Sequence, residues 1–178
     1  MSFSVHAMAS GTFVTMLHTL SALLDRGAEH AGANGSGPEA LLAAQLAPDM
    51  FPLARQVTIA CDLVRDAMTR LTGREAPALP PDGETLAGLK ARIEQTVAFV
   101  ESVPASAFEG AAERAVSLEF PANNVAFDFN GAEFLRDWSL PNVYFHVVTA
   151  YDILRREGVA IGKRDYMLGA MRYFRPMK

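Results

Sequence analysis

Residues 49–71 read DMFPLARQVTIACDLVRDAMTRL, and this stretch decides the fold. Its apolar residues recur at alternating steps of four and three, at Met50, Ala54, Val57, Cys61, Val64, Met68 and Leu71. This spacing places them along one side of an α-helix, in the pattern of a bundle seam. Pro52 falls in the first turn, where a missing N–H costs little. We therefore predict a long helix that packs this side against other helices.

Three further long segments carry helical periodicity, at about residues 4–31, 85–103 and 132–157. A short helix is predicted at about 38–46, and residues 72–83, with Pro77, Pro80 and Pro81, form a predicted loop. Pro141 lies inside the last long segment and is expected to kink or break the helix near Leu140.

The period changes to two at residues 115–120 and 124–129, where apolar and polar residues alternate around a turn. Such a pair predicts a β-hairpin, which needs the helices beneath it to be stable. The sequence therefore predicts a mainly all-α fold, a four-helix bundle with a small β-hairpin inserted before its last long helix. We expect residues 1–178 to form one domain, with 166–178 as a C-terminal tail.

Composition excludes several classes of function. The net charge of −4 and the absence of a basic run argue against nucleic-acid binding. The single cysteine, Cys61, excludes an internal disulfide and a cysteine-based zinc site, and its place in the seam predicts a packed thiol. No stretch is predicted to span a membrane, and no basic region precedes the apolar residues of the first helix. We expect a cytoplasmic protein that binds neither nucleic acid nor membrane.

A polar strip on the last helix supplies the candidate site. Asn142, His146 and Thr149 follow helical spacing and run beside an apolar row. In one interpretation His146 is a partly buried histidine that is hydrogen-bonded to a neighbour; in the other it lines a pocket between helices. His18 lies off the main row of the first helix and is a further candidate for the same cavity. No nucleophile triad, phosphate-binding loop or dinucleotide fingerprint is present.

Two motifs carry a resemblance to a known family. They are LPNVYFHVVTAYDIL at residues 140–154, followed by GKRD at 162–165, and LAPDMFPLARQ at 46–56. Over about residues 2–166 the chain resembles a family of small bacterial proteins of unknown function related to the DinB/YfiT-like bundles. The resemblance implies an up-down-down-up four-helix bundle, often dimeric.

Members of the wider superfamily hold a divalent metal with three histidines, one from the second helix and two, four residues apart, from the last. His146 matches the second histidine of that pair, but Asn142 stands at the other position, and the second helix has no histidine. Gln56 or Asp62 is a candidate for the place on the second helix. We therefore expect no cofactor; any weak divalent site would rest on His146.

Two hypotheses follow. The first is a non-catalytic bundle that binds a small molecule or a partner at a pocket near His146. The second is an enzyme, a metal-dependent thiol transferase or isomerase with an altered metal site, as the resemblance implies. We also expect a homodimer, because the tail is rich in apolar residues: Tyr166, Met167, Met171, Tyr173 and Phe174.

Overall fold

The computed structural model describes residues 4–79 and 85–177, which are mostly helical. The α-helices are α1 (Val5–Ala33), α2 (Pro38–Ala43), α3 (Leu53–Thr72), α4 (Leu86–Ser102), α5 (Gly131–Glu133), α6 (Leu140–Arg156) and α7 (Lys163–Tyr166). Two antiparallel strands, β1 (Ala115–Phe120) and β2 (Val125–Asn130), precede α5. Of the predicted loop 72–83, residues 80–83 lie outside the described residues.

Local signals set the helix ends. The Ser4 hydroxyl accepts a hydrogen bond from the backbone N–H of Ala7 at 3.1 Å and begins α1. Thr85 caps α4 in the same way. Gly73 ends α3 with a φ of 72°, which favours glycine. The helix α3 begins at Leu53, four residues later than predicted, because the residue before Pro52 is driven out of the helical conformation.

The four long helices pack in pairs. The helix α3 contacts α4 and α6, and α1 contacts the same two helices. The central part of the predicted seam of α3 is confirmed, because four of its side chains are fully buried: Val57, Cys61, Val64 and Met68. They belong to a hydrophobic cluster that extends from Ala9 to Ile161.

The first helix, α1, is both long and apolar. By length and composition α1 could cross a membrane, although no segment was predicted to do so. Several of its large apolar side chains, such as Phe13, Leu17 and Leu20, are completely buried among the other helices. This burial is typical of a helix that contributes to a hydrophobic core.

The last long helix does not break at Pro141. Residues Phe134–Ser139 widen into a π-helix, and α6 starts directly afterwards with Pro141 in its first turn. The backbone remains helical from Gly131 to Arg156. Because the proline has no N–H to donate, a change of hydrogen-bond pattern in the preceding turn accommodates it.

The hairpin lies on this π-helix, as its marginal intrinsic stability requires. In β2 the Phe127 ring is 5.4 Å from the Trp138 ring, and in β1 Val116 and Leu118 are buried. The C-terminal segment lies along α1, where the Thr19 hydroxyl donates a hydrogen bond to the carbonyl of Tyr166.

Candidate functional site

One hydrogen bond joins α3 to the polar strip of α6. His146 Nδ1 lies 2.7 Å from Gln56 Oε1, and Gln56 is almost completely buried. Gln56 Nε2 donates a second hydrogen bond, at 2.9 Å, to the carbonyl of Phe51. A carbonyl only accepts, so this contact fixes the orientation of the amide and leaves Oε1 as the acceptor for His146. Nδ1 therefore carries the proton, and Nε2 carries a lone pair.

The protonation state of His146 follows from its half-buried position. Desolvation by burial lowers the pKa of His146 below its ordinary value of 6.5. The imidazole is therefore neutral at pH 7. Within the described residues no protein group hydrogen-bonds to Nε2, which is available to accept a hydrogen bond from another molecule.

Two exposed aromatic residues adjoin the Gln56–His146 pair, Phe145 through its ring and Phe51 through its backbone carbonyl. The Phe145 ring meets the His146 ring edge-on, with 5.3 Å between the ring centres. Phe51, whose carbonyl holds Gln56, has 57% of its surface exposed, and Phe145 has 56%. Arg55 places its guanidinium 5.9 Å from the centre of the Phe51 ring. Sequence reasoning missed these two phenylalanines as site residues. The only indication in the sequence was that each of the two family motifs contains one of these phenylalanines.

The other members of the strip have different surroundings. Asn142 Nδ2 donates to the carbonyl of Trp138 at 2.7 Å, one helical turn back, so its amide serves the backbone of its own helix. Thr149 is buried on α6. Of the three residues in the predicted strip, His146 makes the hydrogen bond to α3.

Two predicted site residues lie elsewhere. Asp62 pairs with Arg92 of α4 at 2.5 Å, because it is six residues beyond Gln56 and therefore on another side of α3. His18 is exposed on α1, and Asp25, seven residues later on the same side, pairs with Lys90 of α4. Neither residue joins His146, which corrects the expectation that they share its site.

Two cavities in the described part of the chain lie away from His146. An apolar cavity of about 240 Å³ lies between the start of α1 and the α5–α6 region, lined by Val5, Met8, Leu135 and Leu140 among others. A groove of about 350 Å³ runs along α1 beside Tyr144 and Arg172. His146 lines neither of these two cavities, and the predicted pocket beside it stays a prediction.

The donor set at this surface does not fit the divalent metal that the resemblance implies. Beside the imidazole stand the amides of Gln56 and Asn142, whose oxygens are poor ligands for zinc or nickel, and Gln56 Oε1 already accepts from His146 Nδ1. In residues 4–79 and 85–177, no three His, Cys, Asp or Glu side chains come together as a metal site. Burial raises the pKa of the Cys61 thiol to about 12, so the thiol is protonated at neutral pH and is a poor nucleophile there.

Comparison with known proteins agrees with the helical architecture. The chain is 37% identical to a DinB family member protein from Shewanella denitrificans, whose crystal structure matches it with a TM-score of 0.85. That match covers 97% of this chain and 96% of the other. No curated protein matches the chain. Residues 5–167 match the family described as Domain of unknown function (DUF1993). The resemblance drawn from the two motifs is thus confirmed: this chain belongs to the DUF1993 family and is DinB-like.

Proposed function

We propose that this protein is a non-catalytic, cytoplasmic binding protein whose recognition surface is His146 with the rings of Phe51 and Phe145. The observation that carries the proposal is the hydrogen bond between Gln56 and His146. It fixes the imidazole in one tautomer and directs a single lone pair outwards, which suits recognition of a hydrogen-bond donor. We further propose that the four long helices follow the up-down-down-up order of the DinB/YfiT-like bundles.

The surface defines a class of ligand. A neutral imidazole that offers only an acceptor needs a hydroxyl or N–H donor opposite it. The exposed faces of Phe51 and Phe145 favour an apolar or aromatic body next to that donor. We expect a small amphipathic molecule, or a side chain of a partner protein with the same chemistry.

The second candidate function is a metal-dependent thiol transferase or isomerase. The available Nε2 of His146 favours it, since a neutral imidazole nitrogen is a good ligand for zinc or nickel. The other side chains of the site oppose it, because amide oxygens are poor ligands for zinc or nickel and Gln56 Oε1 already accepts a hydrogen bond from His146. We therefore prefer the binding function.

Metal titration separates the two candidates. Untagged protein is titrated with Zn²⁺ and Ni²⁺ in a calorimeter, and the His146→Phe variant is titrated in parallel. We expect weak binding or none at His146. Stoichiometric submicromolar binding that disappears in His146→Phe would reject the non-catalytic proposal in favour of the enzyme.

Ligand recognition is tested with phenol and anisole as probes. Both present an aromatic ring, but only phenol has a hydroxyl to donate to Nε2. We expect phenol to shift the NMR signals of Phe51, Phe145 and His146 at lower concentration than anisole does. His146→Phe should remove the difference, and His18→Phe, at an exposed histidine elsewhere, should preserve it. Equal responses to both probes in the unmodified protein would exclude the proposed role of Nε2.

A further inference from the structure

The two strands of the hairpin have different surroundings. In β1 the side chains of Val116 and Leu118 are buried. Arg70, in the last turn of α3, donates a hydrogen bond at 3.0 Å to the backbone carbonyl of Ser117. The outer edge of β1 is therefore in contact with α3, whereas the first four residues of β2 are all exposed.

Hydrogen bonds at both strands show which backbone groups of β2 point outwards. In an antiparallel pair, opposite residues either bond to each other or direct their N–H and C=O to the outer edges, in alternation. The Ser117 carbonyl points out to α3, and the Asn130 N–H donates to the Glu133 carboxylate. Both belong to the outward set, because Ser117 lies opposite Asp128, two residues before Asn130. The N–H and C=O groups of Ala126 and Asp128 therefore point away from β1.

These groups form an unpaired edge, which we call the outer edge of β2 and define as the exposed backbone of Ala126 and Asp128. In the described part of the chain, neither residue has a backbone hydrogen bond to a group outside the hairpin. Proteins usually protect such an edge with lysine, proline or a bulge. The strand β2 contains neither residue and pairs with β1 without a bulge. An unprotected edge of this kind can accept a further strand.

The two faces of the hairpin differ in chemistry along this edge. On one face β2 exposes the apolar side chains of Val125 and Phe127. On the other face Glu119 and Asp128 are both exposed, and they are diagonal neighbours across the two strands. Residues 115–130 contain no lysine or arginine. A strand that paired with β2 would therefore meet apolar side chains on one face and carboxylates on the other.

We propose that the outer edge of β2 binds an extended segment of a partner protein as a third, antiparallel strand, in which apolar residues alternate with lysine or arginine. The backbone of Ala126 and Asp128 supplies two N–H and two C=O groups for this pairing. Successive side chains of a strand point to opposite faces, so the apolar ones pack beside Val125 and Phe127. The basic ones face Asp128. Antiparallel pairing is slightly more stable per residue than parallel pairing.

Charge favours a basic partner over a second copy of this chain. If two β2 edges paired in antiparallel fashion, the Asp128 and Glu119 side chains of both copies would lie on one face. Like charges on neighbouring strands destabilise a sheet, and the whole chain has a net charge of −4. The predicted homodimer therefore has no support at this edge. The hairpin includes neither Gln56 nor His146, so the inference is independent of ligand recognition at that pair.

Binding of labelled peptides to the full-length chain, followed by fluorescence anisotropy, tests the proposal. The probe is a peptide of about seven residues in which valine alternates with lysine. One comparison peptide alternates valine with glutamate, and another carries the same valines and lysines in two blocks. We expect the alternating valine–lysine peptide to bind at least about tenfold more tightly than either comparison peptide.

Two results would overturn the proposal at this stage. Equal binding of the block peptide would show that charge attraction alone holds the probe. Absence of saturable binding of the alternating peptide up to about 1 mM would show that the edge does not accept a strand.

N-methylation of the probe tests the backbone hydrogen bonds. In the antiparallel arrangement the lysine amides point to β2 and the valine amides point away from it. Methylation of the lysine amides should therefore abolish binding, and methylation of the valine amides should preserve it. The reverse result would exclude this pairing.

Variants of the chain test the edge from the other side. Asp128→Lys should weaken binding of the valine–lysine peptide about tenfold or more and strengthen binding of the valine–glutamate peptide. Glu94→Lys, at an exposed glutamate of α4, should change neither. Ala126→Pro removes an outward N–H that β1 does not use, so it should abolish binding while the circular dichroism spectrum stays unchanged. If Ala126→Pro unfolds the chain, Asp128→Lys decides, and a wild-type peptide preference in that variant would overturn the proposal.

Discussion

Gln56 of α3 and His146 of α6, ninety residues apart in the chain, are joined side chain to side chain at 2.7 Å. The buried amide is held at both ends, by the imidazole and by the carbonyl of Phe51. One side chain thus ties the start of α3, the adjacent Phe51 and the centre of α6 together. The DinB/YfiT-like resemblance implies metal ligands on the second and last long helices, and here a hydrogen bond connects these two helices.

The first prediction concerns the loss of this amide. Gln56→Ala removes two hydrogen bonds and leaves the partly buried carbonyl of Phe51 and His146 Nδ1 without their partner. We expect the free energy of unfolding to fall by about 1–3 kcal/mol in urea denaturation. Gln95→Ala, at an exposed glutamine of α4, should change it by less than about 0.5 kcal/mol.

The tautomer of His146 provides a second readout for the same variant. In long-range ¹H–¹⁵N spectra of the wild type, the ring nitrogens of His146 should show that Nδ1 carries the proton. In Gln56→Ala the ring should no longer favour this tautomer. A wild-type ring protonated at Nε2 would contradict the proposed orientation of the amide.

The seam of α3 gives the second prediction. Val64 is completely buried, so Val64→Ala should lower the free energy of unfolding by about 1–2 kcal/mol through lost burial and a small cavity. Asp66, two residues later, has 46% of its side chain exposed and pairs with Arg70. Asp66→Ala should cost at most about 0.5 kcal/mol, because an exposed ion pair within a helix contributes little. Similar losses at both positions would show that the helix has a different rotation.

Local periodicity explains how much of the fold could be predicted. The spacing of Val57, Cys61, Val64 and Met68 is set by helix geometry alone, so their shared burial could be read from the chain. The alternation in residues 115–120 likewise identified β1 with its observed bounds. The π-helix before Pro141 could not be predicted, because several hydrogen-bond patterns accommodate a proline and packing decides among them.

The candidate site was only partly predictable because it depends on the rotation of α3 relative to α6. His146 could be singled out from its strip, but Gln56 and Asp62 were equal candidates for the position opposite it. Their six-residue separation turns them to different sides of one helix, and only the packed structure shows which side faces α6. The exposure of Phe51 and Phe145 is also a property of the packed chain, since the sequence shows only apolar residues there.

A close backbone contact gives the third prediction. A Cβ atom on Gly131 would lie 1.9 Å from the backbone carbonyl oxygen of Ala111, far inside contact distance. Gly131→Ala should therefore force the segment around Ala111, which leads into β1, away from α5 and lower the free energy of unfolding by about 2 kcal/mol or more. Gly11→Ala is the matched control, since a Cβ there meets nothing within 4 Å.

In the control variant Gly11→Ala, the free energy of unfolding should rise. Alanine is more favourable than glycine in the interior of a helix such as α1 by about 0.5–1 kcal/mol. Thermal unfolding of both variants checks the pair. If Gly131→Ala left the free energy of unfolding unchanged, the contact between Ala111 and α5 would be looser than the structure shows.

The final prediction is a pH dependence of stability. Burial lowers the pKa of His146 in the folded protein, whereas the unfolded chain binds this proton with the ordinary pKa of 6.5. Between the two pKa values the unfolded state holds more protons, so stability rises with pH across that interval. The contribution is complete above about pH 6.5 and is lost as pH falls towards the folded pKa.

The size of this effect is small, because His146 is half exposed and water screens its charge; we expect less than about 1 kcal/mol. Urea denaturation of the wild type at pH 7.5 and at pH 5.5 measures the total loss on acidification. His146→Gln cannot titrate and should lose less stability over that range, whereas His18→Gln, at an exposed histidine of α1, should lose as much as the wild type. If His146→Gln and the wild type lost stability equally, the imidazole would have the same pKa in both states. The desolvation inferred from its place between α3 and Phe145 would then be excluded.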